Sequence, residues 1–272
     1  TEAYNGGQHM VSPTASVSGA FIYYSLTDST DPADYSMTAP SLVNVPDSDT
    51  VYFMAVDPNG NYNNAFGHAD VTITAVEVTV TADDRSMTYG DADATPAAGV
   101  SYNGFVNSET DSVVNGADSI TYTYKDASDN TVTVGSTLDA GTYSIVPGVS
   151  GLTATNYTFA PANGKLKVSK AAMTVGSAGY DELYNGAAHG LTATVPGVPG
   201  AEITYSTSED GTYTTTCPTY TDAGEYTIYF KAVDPDGNHT DATGSAKVII
   251  RKVEVTVTAD DRGMTYGETN AT

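Results

Sequence analysis

Acidic side chains dominate the residues able to do chemistry in this chain: 33 Asp and Glu stand against 10 Lys and Arg, with four His and one Cys. Hard oxygen ligands in such number suit calcium, which takes about six to eight of them. The candidate set is Asp234 and Asp236 from one acidic turn, with Asp139, Asp91 and Asp93 from loops of the preceding segment. Held together at a junction between two folded modules, these carboxylates would let the ion stiffen it. The alternative reading is that Asp and Asn stand there because they form turns. No other cofactor is expected.

Nucleophilic and acid–base chemistry is poorly provided for. His9 and His189 occupy matching places in two repeats, so each has only its own module's neighbours and reads as structural. Cys217 is the single cysteine, which excludes a disulfide within the chain, and beside it stands Pro218 rather than an activating base. No paired carboxylates of the glycosidase kind are singled out by spacing. Catalytic residues are therefore expected to be absent. The net charge of −23 argues against a nucleic-acid partner, whose phosphates want clustered basic residues, and against an anionic membrane surface. No apolar run approaches the roughly 18 residues a membrane helix needs. No leader or anchor is visible, and for a surface protein both would be expected outside this stretch.

Repetition shows which elements would position those residues. The segment from Val76 to Arg85 (VEVTVTADDR) returns identically from Val253 to Arg262, and Met87-Thr88-Tyr89-Gly90 returns as Met264-Thr265-Tyr266-Gly267, both at an offset of 177 residues. Ala55-Val56-Asp57-Pro58-Asn59-Gly60-Asn61 returns at the same offset as Ala232-Val233-Asp234-Pro235-Asp236-Gly237-Asn238. Tyr4-Asn5-Gly6 and His9 return as Tyr184-Asn185-Gly186 and His189. Two module types thus alternate. Type A covers residues 1–75, type B residues 76–170, a second A residues 171–252, and residues 253–272 read as the first strand of a further B. The second A opens with Ala171-Ala172-Met173-Thr174-Val175, for which the first A has no counterpart.

Within modules the apolar period is two. Val76, Val78 and Val80 alternate with Glu77, Thr79 and Thr81, and Tyr226, Ile228 and Phe230 with Thr227, Tyr229 and Lys231. Asp234-Pro235-Asp236-Gly237-Asn238 carries turn chemistry, with Pro at a first corner and Gly where a positive φ is needed. Asp139-Ala140-Gly141-Thr142-Tyr143 and Asp222-Ala223-Gly224-Glu225-Tyr226 share a D-x-G-x-Y pattern. That pattern marks the corner of immunoglobulin-like sandwiches where a Tyr hydroxyl bonds back to the main chain. The structural corners are therefore Asp139, Gly141 and Tyr143, and Asp222, Gly224 and Tyr226. The expected fold is all-β: tandem immunoglobulin-like antiparallel β-sandwiches arranged end to end.

The segments Thr88-Tyr89-Gly90-Asp91, Tyr102-Asn103-Gly104-Phe105-Val106, Asn156-Tyr157-Thr158 and Asn163-Gly164-Lys165-Leu166-Lys167-Val168 resemble the MBG-type repeats of large bacterial surface proteins. Tyr184-Asn185-Gly186-Ala187-Ala188-His189-Gly190, Asp222-Ala223-Gly224 and Ala232-Val233-Asp234 resemble the bacterial Ig-like repeats that alternate with them. The resemblance implies an extracellular, cell-surface stalk or adhesin with no catalytic residues. Neighbouring repeats are the first partners, and glycans, mucins or other surface proteins the second. Tyr23, Tyr24, Tyr205 and Tyr229 are the candidate glycan contacts. Lateral assembly into a filament or layer is the remaining alternative.

Overall fold

Alternation turns into strands almost everywhere it is found. A computed structural model describes residues 1–45, 47–92 and 99–267. Three single-turn 3-10 helices, at Pro32–Asp34, Asp111–Val113 and Ala117–Ser119, are the helical turns among the described residues. The chain divides into two compact units, Thr1–Ser169 and Lys170–Thr272.

In the first unit, β1 (Glu2–Ala3), β2 (Phe21–Ser25), β3 (Ser48–Val56) and β4 (Ala65–Thr74) form one sheet in the order β1-β4-β3-β2. The module that follows has two sheets. One contains β6 (Arg85–Thr88), β12 (Gly164–Ser169), β10 (Gly141–Gly148), β8 (Thr121–Lys125) and β9 (Thr131–Val132) in that order. The other is β11 (Tyr157–Ala162), β5 (Val76–Ala82) and β7 (Val100–Asn103). Their facing sides enclose Ala82, Met87, Leu138, Ile145, Leu166 and Val168. Ile145 and Leu166 are fully enclosed and each contributes roughly 2–3 kcal/mol through burial.

The second unit contains β13 (Ala171–Ala172), β14 (Gly176–Ala178), β15 (Tyr180–Leu183), β16 (Thr192–Thr194), β17 (Glu202–Ser206), β18 (Gly224–Val233), β19 (His239–Thr240) and β20 (Ala242–Arg251). Its main sheet runs β15-β20-β18-β17, with β13-β19 and β14-β16 as short pairs. Leu191, Ile228, Phe230, Val248 and Ile250 fill one core cluster, and Met173, Val198 and Ala232 a second.

The sandwiches are all-β and immunoglobulin-like, but their strands are not uniformly antiparallel. Early strands of each module lie parallel to late ones: β1 with β4, β5 with β11, β6 with β12, β13 with β19 and β15 with β20. Hydrophobic alternation reports which face of a strand is buried, not which way its neighbour runs, so the sequence did not reveal this.

Local chemistry fixes the turns. In Thr88-Tyr89-Gly90-Asp91, the Asp91 amide donates to Thr88 O at 3.1 Å, and Asp91 Oδ2 accepts from the Thr88 amide at 2.8 Å. Gly90 sits at φ 90°, a conformation that costs a glycine little. The turn leaves the Tyr89 ring against the core. At the corners, Tyr143 Oη donates to Asp139 O at 2.8 Å and Tyr226 Oη donates to Asp222 O at 3.3 Å.

Residues 253–267 carry no strand pairing, although Val253 to Arg262 repeats the sequence of β5. Val255 and Val257 are 85% and 88% exposed, whereas the equivalent Val78 and Val80 are fully buried. In the first unit β5 is held between β7 and β11.

Candidate functional site

Where the first two modules meet, single-residue spacing leaves no room for a flexible linker: β4 ends at Thr74 and β5 starts at Val76. Residues 76, 78, 80 and 82 share one face of β5. Val78 belongs to a cluster with Tyr4, Ile73 and Tyr157, and Ala82 to the core of the following sandwich. One strand face thus runs from the junction into the module beyond it.

Three polar side chains close the joint. Tyr4 comes from the loop after β1, Tyr157 opens β11, and Glu109 lies in the loop after β7. Tyr4 Oη donates to Glu109 Oε1 at 2.9 Å, and Tyr157 Oη donates to Glu109 Oε2. The two tyrosine rings meet edge to face, with centroids 5.7 Å apart and planes at 81°. Phe105 packs edge-on against Tyr157 at 5.1 Å. Both tyrosines are buried, at 4% and 5% exposure. Asn107 and Ser108 both adopt positive φ, at 53° and 60°, and the Glu109 amide donates back to Val106 O at 3.0 Å. That tight turn aims Glu109 at the tyrosines. Opposite it, a Cβ on Gly6 would stand 2.3 Å from Asn107 Cγ, so no larger residue fits without moving the joint.

A second set of bonds ties the same seam. The Val45 amide donates to Asn156 Oδ1 at 2.8 Å, and Asn156 Nδ2 donates to Asn44 Oδ1 at 3.1 Å. The Val76 amide donates to Asn156 O at 3.0 Å. Asn156 is 8% exposed, so losing these bonds would strand a buried amide at a cost of about 1–3 kcal/mol.

Burial, then the hydrogen bond to Glu109, pushes Tyr157 up from 10.0 to about 12. The same two causes raise Tyr4. A raised folded-state pKa favours the protonated form, so the contribution of Tyr157 is intact below the unfolded value and disappears as pH climbs through the folded one. Stability of the first unit is expected to fall between about pH 10 and pH 12, by on the order of 2–3 kcal/mol from Tyr157. Denaturant unfolding at stepped alkaline pH, with tyrosinate absorbance read in parallel, measures it. Tyr157→Phe should flatten the slope, and a wild-type profile already flat over that interval contradicts the joint as described.

Two of the sequence-predicted metal residues, Asp234 and Asp91, have their carboxylates engaged inside their own turns. Asp234 Oδ1 accepts from the Asp236 amide at 3.1 Å. Asp234 Oδ2 accepts from the Asn238 and His239 amides, each at 3.0 Å, and bonds His239 Nδ1 at 2.8 Å. The His239 bond holds the Asp234 carboxyl below its usual range; burial opposes this and the backbone amides reinforce it. Asp91 accepts from Thr88 as described, and the carbonyl of Asp139 accepts from Tyr143. Asp93 lies outside the described residues. Among the described residues, no group of three or more His, Cys, Asp or Glu stands close enough to hold a metal.

His9 is 4% exposed and pairs with Glu2 through Nδ1, while His189 stacks on Tyr180 at 3.7 Å. Lys231 Nζ lies 4.2 Å from the centre of the Tyr213 ring, and the Cys217 thiol donates to the carbonyls of Leu191 and Pro218. Tyr23, Tyr24, Tyr205 and Tyr229 are half-buried, and the strongly exposed tyrosines among the described residues are elsewhere, at Tyr62, Tyr184 and Tyr266. Sequence reasoning missed Glu109 and the roles of Tyr4 and Tyr157. One signal was present: Tyr4-Asn5-Gly6 repeats as Tyr184-Asn185-Gly186, which marks a loop with a fixed task.

Comparison with known proteins places one part of the chain. Residues 78–167 match the family model of the MBG domain, YGX type. The Tyr89-Gly90-Asp91 turn described above falls inside that match and carries the motif of its name. No curated protein matches the chain. Among solved structures, Sidekick-1 immunoglobulin domains 1–5 align at 11% identity and a TM-score of 0.29, over 93% of this chain and 58% of that one. Protocadherin Gamma B7 extracellular cadherin domains 1–4 align at 13% identity and a TM-score of 0.28, over 93% and 74%. The chain thus spans little more than half of the first of these structures.

Proposed function

We propose that this chain is a structural repeat segment of an extracellular surface fibre, stalk or adhesin that spaces or tethers a distal domain, without catalysis of its own. The observation that carries the proposal is the parallel pairing of early with late strands in each module, β1 with β4, β6 with β12 and β15 with β20. Two parallel strands point the same way, so the chain enters a module at one end and leaves at the other. Load applied through the chain then pulls the paired strands in opposite directions and strains their hydrogen bonds together rather than one by one. The Tyr4–Glu109–Tyr157 joint adds a rigid seam between two such modules. The matched MBG domain is a domain type of surface proteins, which supports the extracellular placement. Among the described residues no helix is long and apolar enough to cross a membrane.

Single-molecule stretching from the two termini tests the proposal. Sharp, cooperative ruptures are expected, with contour gains near 3.3–3.6 Å for each residue released. Gradual yielding without ruptures would end the tether reading. Calcium bound by Asp234, Asp236, Asp139, Asp91 and Asp93 stays part of the proposal, in competition with the backbone amides from which Asp234 and Asp91 already accept. The glycan-binding alternative loses weight because its four candidate tyrosines are half-buried.

A further inference from the structure

The outer faces of the two A-module sheets correspond in register but not in charge. Ser25 pairs with Tyr52 and Tyr52 with His68, as Ser206 pairs with Tyr229 and Tyr229 with Ser245. Tyr24 bridges to Ser36 as Tyr205 bridges to Thr214, so Tyr35 and Tyr213 hold the same place after β2 and β17. Tyr35 Oη donates to Ser29 O at 2.7 Å, and Tyr213 Oη donates to Glu209 O at 2.9 Å. The loops leading to them differ. Residues 26–34 carry the 3-10 turn Pro32–Asp34, whereas the shorter stretch 207–212 has no helical turn.

In the second A module this place already holds an ammonium. Lys231 Nζ lies 4.2 Å from the centre of the Tyr213 ring, and Lys247 on the same face pairs with Glu225. Their counterparts in the first A module are Met54 and Asp70. Both cations are gone, and a carboxylate stands in place of one. Beside Tyr35 is a groove of about 380 Å³ between the loop, β3 and β4. Its walls are aromatic: Tyr35 meets Phe66 edge to face at 5.9 Å, and the Tyr52 ring lies 6.0 Å from that of His68. Phe66 is 45% exposed. Asp28 lines the loop side and Asp70 the sheet side, where Asp70 accepts from Thr50 Oγ1 at 2.7 Å. None of the described residues that line it is Lys or Arg. Burial, then the charges of Asp28 and Asp34, holds the Tyr35 hydroxyl above its ordinary value. On the inner side of the same sheet lies a different groove, of about 350 Å³, lined among others by Val17, Ala20, Ile22 and Ala55. Their counterparts Val198, Ala201, Ile203 and Ala232 pack with Met173 in the second A module, and that groove takes no part in the site.

We propose that the outer groove binds a primary alkylammonium group, the chemistry of a lysine side chain or of a free diamine, in the place that Lys231 fills in the second A module. The aliphatic stem lies on Phe66, the ammonium faces the rings of Tyr35 and Tyr52, and Asp28 and Asp70 accept its N–H donors. Aromatic faces attract a cation, and carboxylates favour a head that can donate hydrogen bonds over a quaternary one. The net charge of −23 draws cations to the whole surface, and the groove supplies the selection. This site goes beyond the spacer reading and does not depend on it.

Nα-acetyl-lysine methylamide and cadaverine, titrated separately into the full chain at physiological salt and followed by amide NMR, test the site. Saturable shifts are expected at residues 35, 52, 67, 68 and 70. Tighter binding of the lysine derivative assigns the groove to a polypeptide partner, and tighter binding of cadaverine assigns it to a free diamine. About fivefold weaker binding is expected for the Nε-acetylated lysine derivative, which keeps the stem and loses the charge, and for an Asp70→Asn chain. Met54→Lys, which supplies an internal ammonium as Lys231 does, is expected to abolish binding. Retention of the wild-type spectrum outside the groove shows that each variant is folded. The proposal is overturned by the absence of saturable groove shifts with either amine at millimolar concentration, by equal binding of the acetylated derivative, or by shifts spread evenly over the acidic surface. It is equally overturned by groove resonances that move with neutral oligosaccharides and not with the amines.

Discussion

Tyr157→Ala is expected to lower the stability of the first unit by about 3–5 kcal/mol, the range for deleting a buried aromatic ring. The ring lies within 5.7 Å of Tyr4 and 5.1 Å of Phe105, centre to centre, so its removal undoes both edge contacts and opens a cavity at the seam. It also leaves Glu109 with one hydroxyl donor instead of two. Tyr157→Phe separates these effects, because it keeps the ring and loses only the hydrogen bond; about 1–3 kcal/mol is expected. Denaturant unfolding gives the totals. Hydrogen exchange gives the location: amides of β5 near Val76 and Val78 should lose protection first, while those around Ile145 and Leu166 hold. That order is expected because the junction cluster and the sandwich core are separate groups of side chains. Equal losses for Ala and Phe would mean that the ring contributes nothing, and the seam would no longer account for the coupling of the two modules.

The sequence made the strands legible and left the joint hidden, for one physical reason. Val76, Val78 and Val80 announce a half-buried strand because neighbouring residues alone set which face is apolar. The corners at Tyr143 and Tyr226 were legible because each hydroxyl reaches a carbonyl four residues away. Tyr4 and Glu109, by contrast, are 105 residues apart, and Glu109 and Tyr157 are 48 apart. They meet only because β11 lies parallel to β5 along the module boundary, and no local pattern encodes that pairing. The repeated stretch from Val253 to Arg262 makes the same point in reverse. Its first residues are those of β5, yet it carries no strand pairing, so alternation alone does not make a ladder. The carboxylates were conspicuous in composition, but Asp234 and Asp91 have backbone amides of their own turns as partners.

Met173→Ala carries the second large effect, about 2–5 kcal/mol from the second unit. Met173 is 8% exposed and packs with Val198 and Ala232, so the deletion removes buried apolar surface and leaves a gap. Where in that range the loss falls depends on whether the walls can close. The first A module answers this, since the matching walls there leave a groove of about 350 Å³ standing open. Walls that do not collapse put the expected loss in the upper half of the range. Chemical denaturation of the full chain measures it, and hydrogen exchange should show β13 and β19 losing protection while the β18–β20 ladder keeps it. Beyond its Ala232–Ala242 end the ladder is spared, because its core, built on Ile228, Phe230, Val248 and Ile250, is a different group of buried residues from the one around Met173. A loss below about 1 kcal/mol would mean that the walls do close over the gap.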